Sequence, residues 1–192
     1  MNIQNYFNKG FGQPALWIDF VNSLEHDGFG NSTDYLRDPA WRETFLRHWK
    51  LATPSSDRVP FPALLRLRAM LRSGADSLSS TAPVSAAELR SLNAAMSVFV
   101  RPQLFQRQNG FVLEEMPRHK DWRWIAAQIA ASFARTLASD VSERVKICPD
   151  PLCRWVFYDQ TKGKTRIWCN ERTCGNRNRV RRSRSKFAGA GL

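Results

Sequence analysis

Cys148, Cys153, Cys169 and Cys174 are all the cysteines of a 192-residue chain, and they fall within 27 residues as Cys-x4-Cys, fifteen residues, Cys-x4-Cys. Two short loops that each offer a pair of thiolates meet the demand of Zn2+ for four tetrahedral ligands at about 2.3 Å. A site closed by four protein ligands leaves no coordination position for a substrate, so the chemistry expected of it is structural. Binding on the order of 10–16 kcal/mol, as in model fingers, orders a segment too small to bury its own core. The same residues would serve two disulfides, an iron-sulfur cluster, or a thiol switch that releases the metal on oxidation. Clustering around a strand-and-turn filling favours zinc.

The second chemistry is electrostatic. The chain has a formal net charge of +12 and a pI near 10.3. Between Lys146 and Lys186, 12 Lys and Arg stand against Asp150, Asp159 and Glu171, so +9 of that charge surrounds the cysteines. The segment after Cys174 lacks proline and reads as a helix. At 100° per residue Arg177, Arg181 and Arg184 share one stripe and Arg179, Arg182 and Lys186 the opposite one, with Val180 and Phe187 as the apolar line. A helix with so little to bury is expected to turn its guanidinium groups outward, and Arg forks match phosphate oxygens. These six residues are the candidate nucleic-acid contacts, with Trp155 and Tyr158 as stacking candidates for single strands. DNA is the expected partner. RNA, or an acidic protein docked by an adaptor, would use the same surface; the plainer alternatives are a solvated, self-repelling tail or arginines paired to carboxylates of the N-terminal domain.

The elements that must position this module are mostly helical. Pro14 to Glu25 places Trp17, Val21 and Leu24 at i, i+4 and i+7 and predicts a first helix with Asp19 and Asn22 on another face. Asp38-Pro39 starts a second, carrying Trp41, Phe45 and Trp49. Leu64, Leu67 and Leu71 define a third, expected to fade in the polar run Ser73 to Thr81. Ser85 and Glu88 form a capping box for a fourth, with Leu89, Leu92, Met96 and Phe99 on one side. Asn109-Gly110 between apolar runs predicts a hairpin. Trp122, Ile125, Ile129, Phe133 and Leu137 form the face of a long helix from about His119 to Glu143. Within the cysteine module, Trp155 to Tyr158 reads as one strand and Arg166 to Trp168 as its return.

Catalytic constellations are lacking. His26, His48 and His119 are scattered, no glycine-rich loop follows a strand, and the chain is read as a non-enzyme. Asp19 and Asn22, one helical turn apart, are a candidate effector pocket, against the plainer reading of a solvated or capping face. No apolar run is long enough to span a membrane and no leader pattern opens the chain, so a cytoplasmic protein is expected.

Cys174-Gly175-Asn176-Arg177, preceded by WVFYDQTKGKTRIWC, resembles the CGNR zinc finger of bacterial proteins over roughly Val145 to Phe187. ALWIDFVNSLE at 15–25, PALLRLRAML and LRSLNAAM at 89–96 resemble, in order, segments of the ABATE domain that precedes this finger. The resemblance implies transcription regulation, a metal site at the four cysteines, and an N-terminal domain that senses an effector or a protein partner. The Arg-heavy tail RNRVRRSRSK is a property of this chain rather than of the family. The expected architecture is α+β, mainly α: a helical domain with a small hairpin over residues 1–144, then a treble-clef-like finger with a basic helix over 145–192.

Overall fold

The computed structural model describes residues 15–56 and 58–188, the last three of these by backbone alone. The predicted start at Pro14 lies outside them. In chain order the elements are α1 (Leu16–Val21), β1 (Leu24–His26), β2 (Ser32–Asp34), α2 (Pro39–His48), α3 (Phe61–Ser79), α4 (Ala86–Met96), β3 (Val100–Arg107), β4 (Gly110–Pro117), α5 (Trp122–Leu137), β5 (Val145–Ile147), β6 (Val156–Tyr158), a π-turn (Glu171–Gly175) and α6 (Asn176–Ala188). The strands form three antiparallel pairs, β1–β2, β3–β4 and β5–β6. A mainly helical domain followed by a four-cysteine module is thus what the chain forms.

Helix starts follow their caps. Asp38 accepts from the Ala40 amide at 2.9 Å with Pro39 in the first turn, and Ser85 and Glu88 close their box at α4. The long helices pack through the periodic residues: Trp17 of α1 meets Phe133 of α5 edge-on at 4.8 Å and donates its indole N–H to Thr136 Oγ1 at 2.9 Å. Trp41 and Phe45 stack at 4.9 Å within α2.

Several expectations are corrected. The first helix ends at Val21, because Asn22 and Ser23 are buried and spend their side chains on tertiary and local bonds; Leu24 begins β1 and is 37% exposed rather than part of the stripe. Helix α3 does not fade at Ser73. It runs to Ser79 because Gly74 and Ala75 form a small-residue face under α5, and a Cβ at Gly74 would lie 2.4 Å from Phe133 Cζ. Of the predicted α4 stripe only Leu92 is buried, Leu89 and Phe99 being exposed. The hairpin turn is centred on Gln108-Asn109, and Gly110, at φ +125°, takes the left-handed conformation as the first residue of β4. Helix α5 stops at Leu137, short of Glu143.

The largest correction concerns the cysteine module. Strand β6 pairs not with Arg166 to Trp168 but with β5, in the register Val145↔Tyr158, Lys146↔Phe157, Ile147↔Val156. The loop between β6 and Cys169 is organised instead around buried Asp159. Its carboxylate accepts from Lys146 Nζ (2.7 Å), the Thr161 amide (2.9 Å) and hydroxyl (2.6 Å) and the Arg166 amide (2.9 Å), so Arg166 has no N–H left for a ladder. Val145 and Val156 belong to the same core as Trp17, Leu71 and Ile129, so one apolar core runs across position 144.

Candidate metal centre and basic helix

The first knuckle is a tight turn between two prolines, Cys148-Pro149-Asp150-Pro151-Leu152-Cys153. The amides of Cys153 and Arg154 donate to the Asp150 carbonyl at 2.9 and 3.0 Å, and the Cys148 amide donates to the Trp155 carbonyl at 2.9 Å. The second pair is set by Asn170, whose Oδ1 accepts from the Arg172 and Thr173 amides at 2.9 and 3.2 Å and caps the π-turn that carries Cys174. All four Sγ atoms then lie within 4.8 Å of one another. Cys153–Cys169 and Cys169–Cys174 are 3.6 and 3.5 Å apart, and no pair is joined as a disulfide. A regular tetrahedron with bonds of about 2.3 Å has edges of about 3.8 Å, so the four thiols fit a metal of the size and softness of zinc. Three of them are buried, which keeps water from competing for the ion.

A buried carboxylate joins this centre to α6. Asp150 is 0% exposed; its Oδ2 accepts from Arg177 Nε (2.8 Å) and Nη2 (2.6 Å), and its Oδ1 from Arg181 Nη1 (2.9 Å) and the Leu152 amide (3.2 Å). Burial by itself would raise this carboxyl, but the bonds from Arg177, Leu152 and Arg181 outweigh it and hold Asp150 below the ordinary carboxylate range. Arg177 Nη2 also donates to Cys174 Sγ at 3.2 Å, which steadies a ligand thiolate. Two nitrogens of one guanidinium, Nε and Nη2, thus tie the knuckle, the ligand and the helix together.

The same two arginines reach the N-terminal domain. Arg177 Nη1 approaches the Asp27 carbonyl at 3.5 Å, Arg181 Nη2 donates to the Gly28 carbonyl at 3.2 Å, and the Arg177 guanidinium lies 5.3 Å from the Phe29 ring. At Gly28 (φ +82°) a Cβ would lie 2.1 Å from the Arg177 guanidinium, so the loop between β1 and β2 requires a glycine there twice over. A cavity of about 590 Å³ opens beside this contact, lined by His26, Phe29, Trp155, Asn170, Asn176 and Arg177.

The expected outward display of all the basic residues is therefore corrected. Arg177 and Arg181 point inward, because Asp150 offers them a desolvated counter-charge. Arg179 is exposed and paired with exposed Glu171, Arg182 is exposed on the same outer stripe, and Arg184, although on the stripe of Arg177 and Arg181, is exposed as well. The side chain of Lys186 lies outside the described residues. Arg179 and Arg182, with Arg166 and Trp168, line a shallow cleft of about 520 Å³ along that face. Trp155 and Tyr158 are half-buried against the main core, and Trp155 also lines the cavity beside Phe29.

Asp19 and Asn22 form neither a pocket nor a solvated face, since each is only 1% exposed. Asp19 Oδ2 accepts from the Trp49 indole N–H at 3.0 Å, and burial, only partly offset by that bond, pushes its carboxyl up to about 8. Asn22 donates Nδ2 to the Val156 carbonyl at 2.8 Å and accepts the Val156 amide at 3.0 Å, so one side-chain amide acts as a strand partner for β6. Sequence reasoning missed Asp150, Gly28 and this use of Asn22. Asp150 had a signal: an acid held between two prolines inside a metal knuckle cannot easily escape burial.

Comparison with known families gives two matches. Residues 14–140 match the ABATE model, described as "Putative stress-induced transcription regulator", and residues 144–186 match the CGNR zinc finger. No curated protein matches the chain.

Proposed function

The chain belongs to the ABATE family, whose model covers most of it, and with the CGNR finger that follows we propose that it is a zinc-dependent regulator that binds DNA through the outer face of α6. The observation that carries this reading is a division of labour among the arginines. Arg177 and Arg181 are anchored on buried Asp150, which fixes the helix, while Arg179 and Arg182 stand on the opposite, exposed stripe with Arg166 beside them, and Arg184 is exposed past the two anchors. A rigid helix bearing cations that have no interior task is what phosphate contacts require.

The N-terminal domain touches this helix through the loop 27–29, and it touches β6 through Asn22. A ligand or partner that moves that loop would shift Arg177 and Arg181, and with them the exposed face. This is the route by which the domain would regulate binding.

Titration of labelled duplex DNA with the zinc-loaded protein at two salt concentrations tests the proposal. Binding should weaken steeply with salt, and Arg182→Ala with Arg184→Ala should flatten the slope by roughly 0.9 per lost phosphate contact. Absence of binding at low salt with zinc present sinks the reading. Competition with single-stranded RNA separates DNA from RNA as the target.

A further inference from the structure

The β3–β4 hairpin serves neither the metal centre nor the basic helix, and its surface is apolar. Phe111, Leu113 and Leu104 are 70, 68 and 61% exposed. The register fixes where they point. Arg107 and Gly110 flank a two-residue turn, and the Arg118 amide donates to the Phe99 carbonyl at 3.1 Å. Hydrogen-bonded pairs therefore fall on the odd positions of β3 and the even positions of β4. Leu104, Gln106, Phe111 and Leu113 then share one face, and the backbone groups of Phe111, Leu113 and Glu115 turn outward from the hairpin.

The opposite face is dressed by its own side chains: Arg107 pairs with Glu114 at 2.9 Å and lies 5.2 Å from the Phe105 ring. The two edges also differ. On β3, outward-facing position 102 is a proline, which has no N–H to offer. Strand β4 has no proline before Pro117 and no lysine, and its two charges, Glu114 and Glu115, lie past Leu113, so the stretch Phe111 to Leu113 is without the usual protection of an edge. Two strands alone are marginal in water, and here the bare face and the open edge meet on β4.

We infer that β4 pairs edge to edge, antiparallel, with β4 of a second copy of this chain about a two-fold axis at Val112. About that axis Phe111 of each copy faces Leu113 of the other in hydrogen-bonded pairs, and Leu104, Phe111 and Leu113 of both copies merge into one strip across four strands. Glu114 and Glu115 fall opposite Gly110 and Asn109. An axis at Glu114 would set that carboxylate against itself, and one at Leu113 would set Phe111 against Glu115, so charge and apolar matching select the register. Strand β4 is thus complementary to itself, which argues for a second copy over an unrelated peptide. Pairing of one eight-residue strand buries far less than the roughly 800 Å² per partner of a standard interface, so the dimer dissociates on dilution. The inference does not depend on DNA binding.

Sedimentation velocity of the full zinc-loaded chain from about 1 to 200 µM should show a monomer–dimer transition, the range in which a weak interface titrates. Leu113→Pro removes an outward N–H without breaking a bond of the hairpin, and should raise the midpoint at least tenfold. Leu104→Gln, on the same face but on β3, should shift it less. Val112→Cys should give a disulfide-linked dimer under mild oxidation, because facing non-hydrogen-bonded pairs bring Cβ atoms to about 4.5–5.5 Å, whereas Gln103→Cys should not. Zinc content and circular dichroism of each variant confirm that it is folded. A chain monomeric throughout the range overturns the inference, as does a dimer that Leu113→Pro leaves intact. A monomer whose Phe111 and Leu113 amides are protected from exchange also overturns it, by assigning the edge to another occupant.

Discussion

Arg177 lays its Nε and Nη2 on one carboxylate oxygen of Asp150, at 2.8 and 2.6 Å, and with the same Nη2 reaches the sulfur of Cys174 at 3.2 Å. The pair therefore connects the first knuckle, the fourth ligand and α6 in a single interaction. Asp150→Asn should strip two arginines of their counter-charge. Because the Arg181 side chain is 39% exposed and can relax into water, the expected loss is about 2–3 kcal/mol, below the usual cost of breaking a fully buried pair. Chemical denaturation of the zinc-loaded protein measures it, and no loss would show that the carboxylate is dispensable.

Arg177 also predicts a metal phenotype. Arg177→Lys keeps the charge but loses the fork, so the bonds to Asp150 and Cys174 cannot both be made. Zinc affinity should fall about 10–100-fold, as measured by competition with a chromogenic chelator, while Arg182→Ala leaves it unchanged.

Removal of the metal should reach beyond the finger. Val145 and Val156 lie in the main core, so chelation is expected to loosen β5–β6 together with the knuckles and to alter the fluorescence of Trp155 and Trp168. Hydrogen exchange should show the loss of protection spreading to Asn22 and α1. Metal analysis should return one zinc per chain. Protection confined to its original level in α1 would mean that the helical domain stands independently of the ion.

Asn22→Leu keeps the volume but leaves the buried amide and carbonyl of Val156 without their partner. A cost of about 1–3 kcal/mol is expected, and the loss should appear first as faster exchange in β6.

Asp19 gives a pH dependence of unusual sign. Its carboxyl titrates near 8 in the folded chain against about 4 when unfolded, so from pH 4 to pH 8 the folded state holds a proton that the unfolded state has released. Stability from this group is complete below pH 4 and falls by up to about 1.4 kcal/mol per unit as pH rises to 8, then levels. Asp34, Asp150 and Asp159, whose carboxyls are held low, act oppositely and lose stability in acid. Asp19→Asn should flatten the curve between pH 5 and pH 8; an unchanged curve would count against the assignment.

The metal site was legible because spacing alone restricts it: two pairs of cysteines with four residues between the members of each close onto one ion almost whatever surrounds them. Caps at Ser85 and Asp38 and the apolar stripe of α5 were legible for a similar reason, being local rules read within one or two helical turns. The ends of α1 and α3 were not, since Asn22 leaves the helical surface for a strand 134 residues away and Gly74 stays helical only because Phe133 lies on it.

The sequence by itself determined that four thiolates gather, that a basic helix follows them, and which long segments are helical. Tertiary structure decided which arginines of that helix are available. Helical periodicity separates Arg177, Arg181 and Arg184 from Arg179 and Arg182, but it carries no information on which stripe faces inward. That choice was made by Asp150, a buried carboxylate whose desolvation is tolerable only against cations, and it turned Arg177 and Arg181 into anchors while leaving the other stripe to solvent.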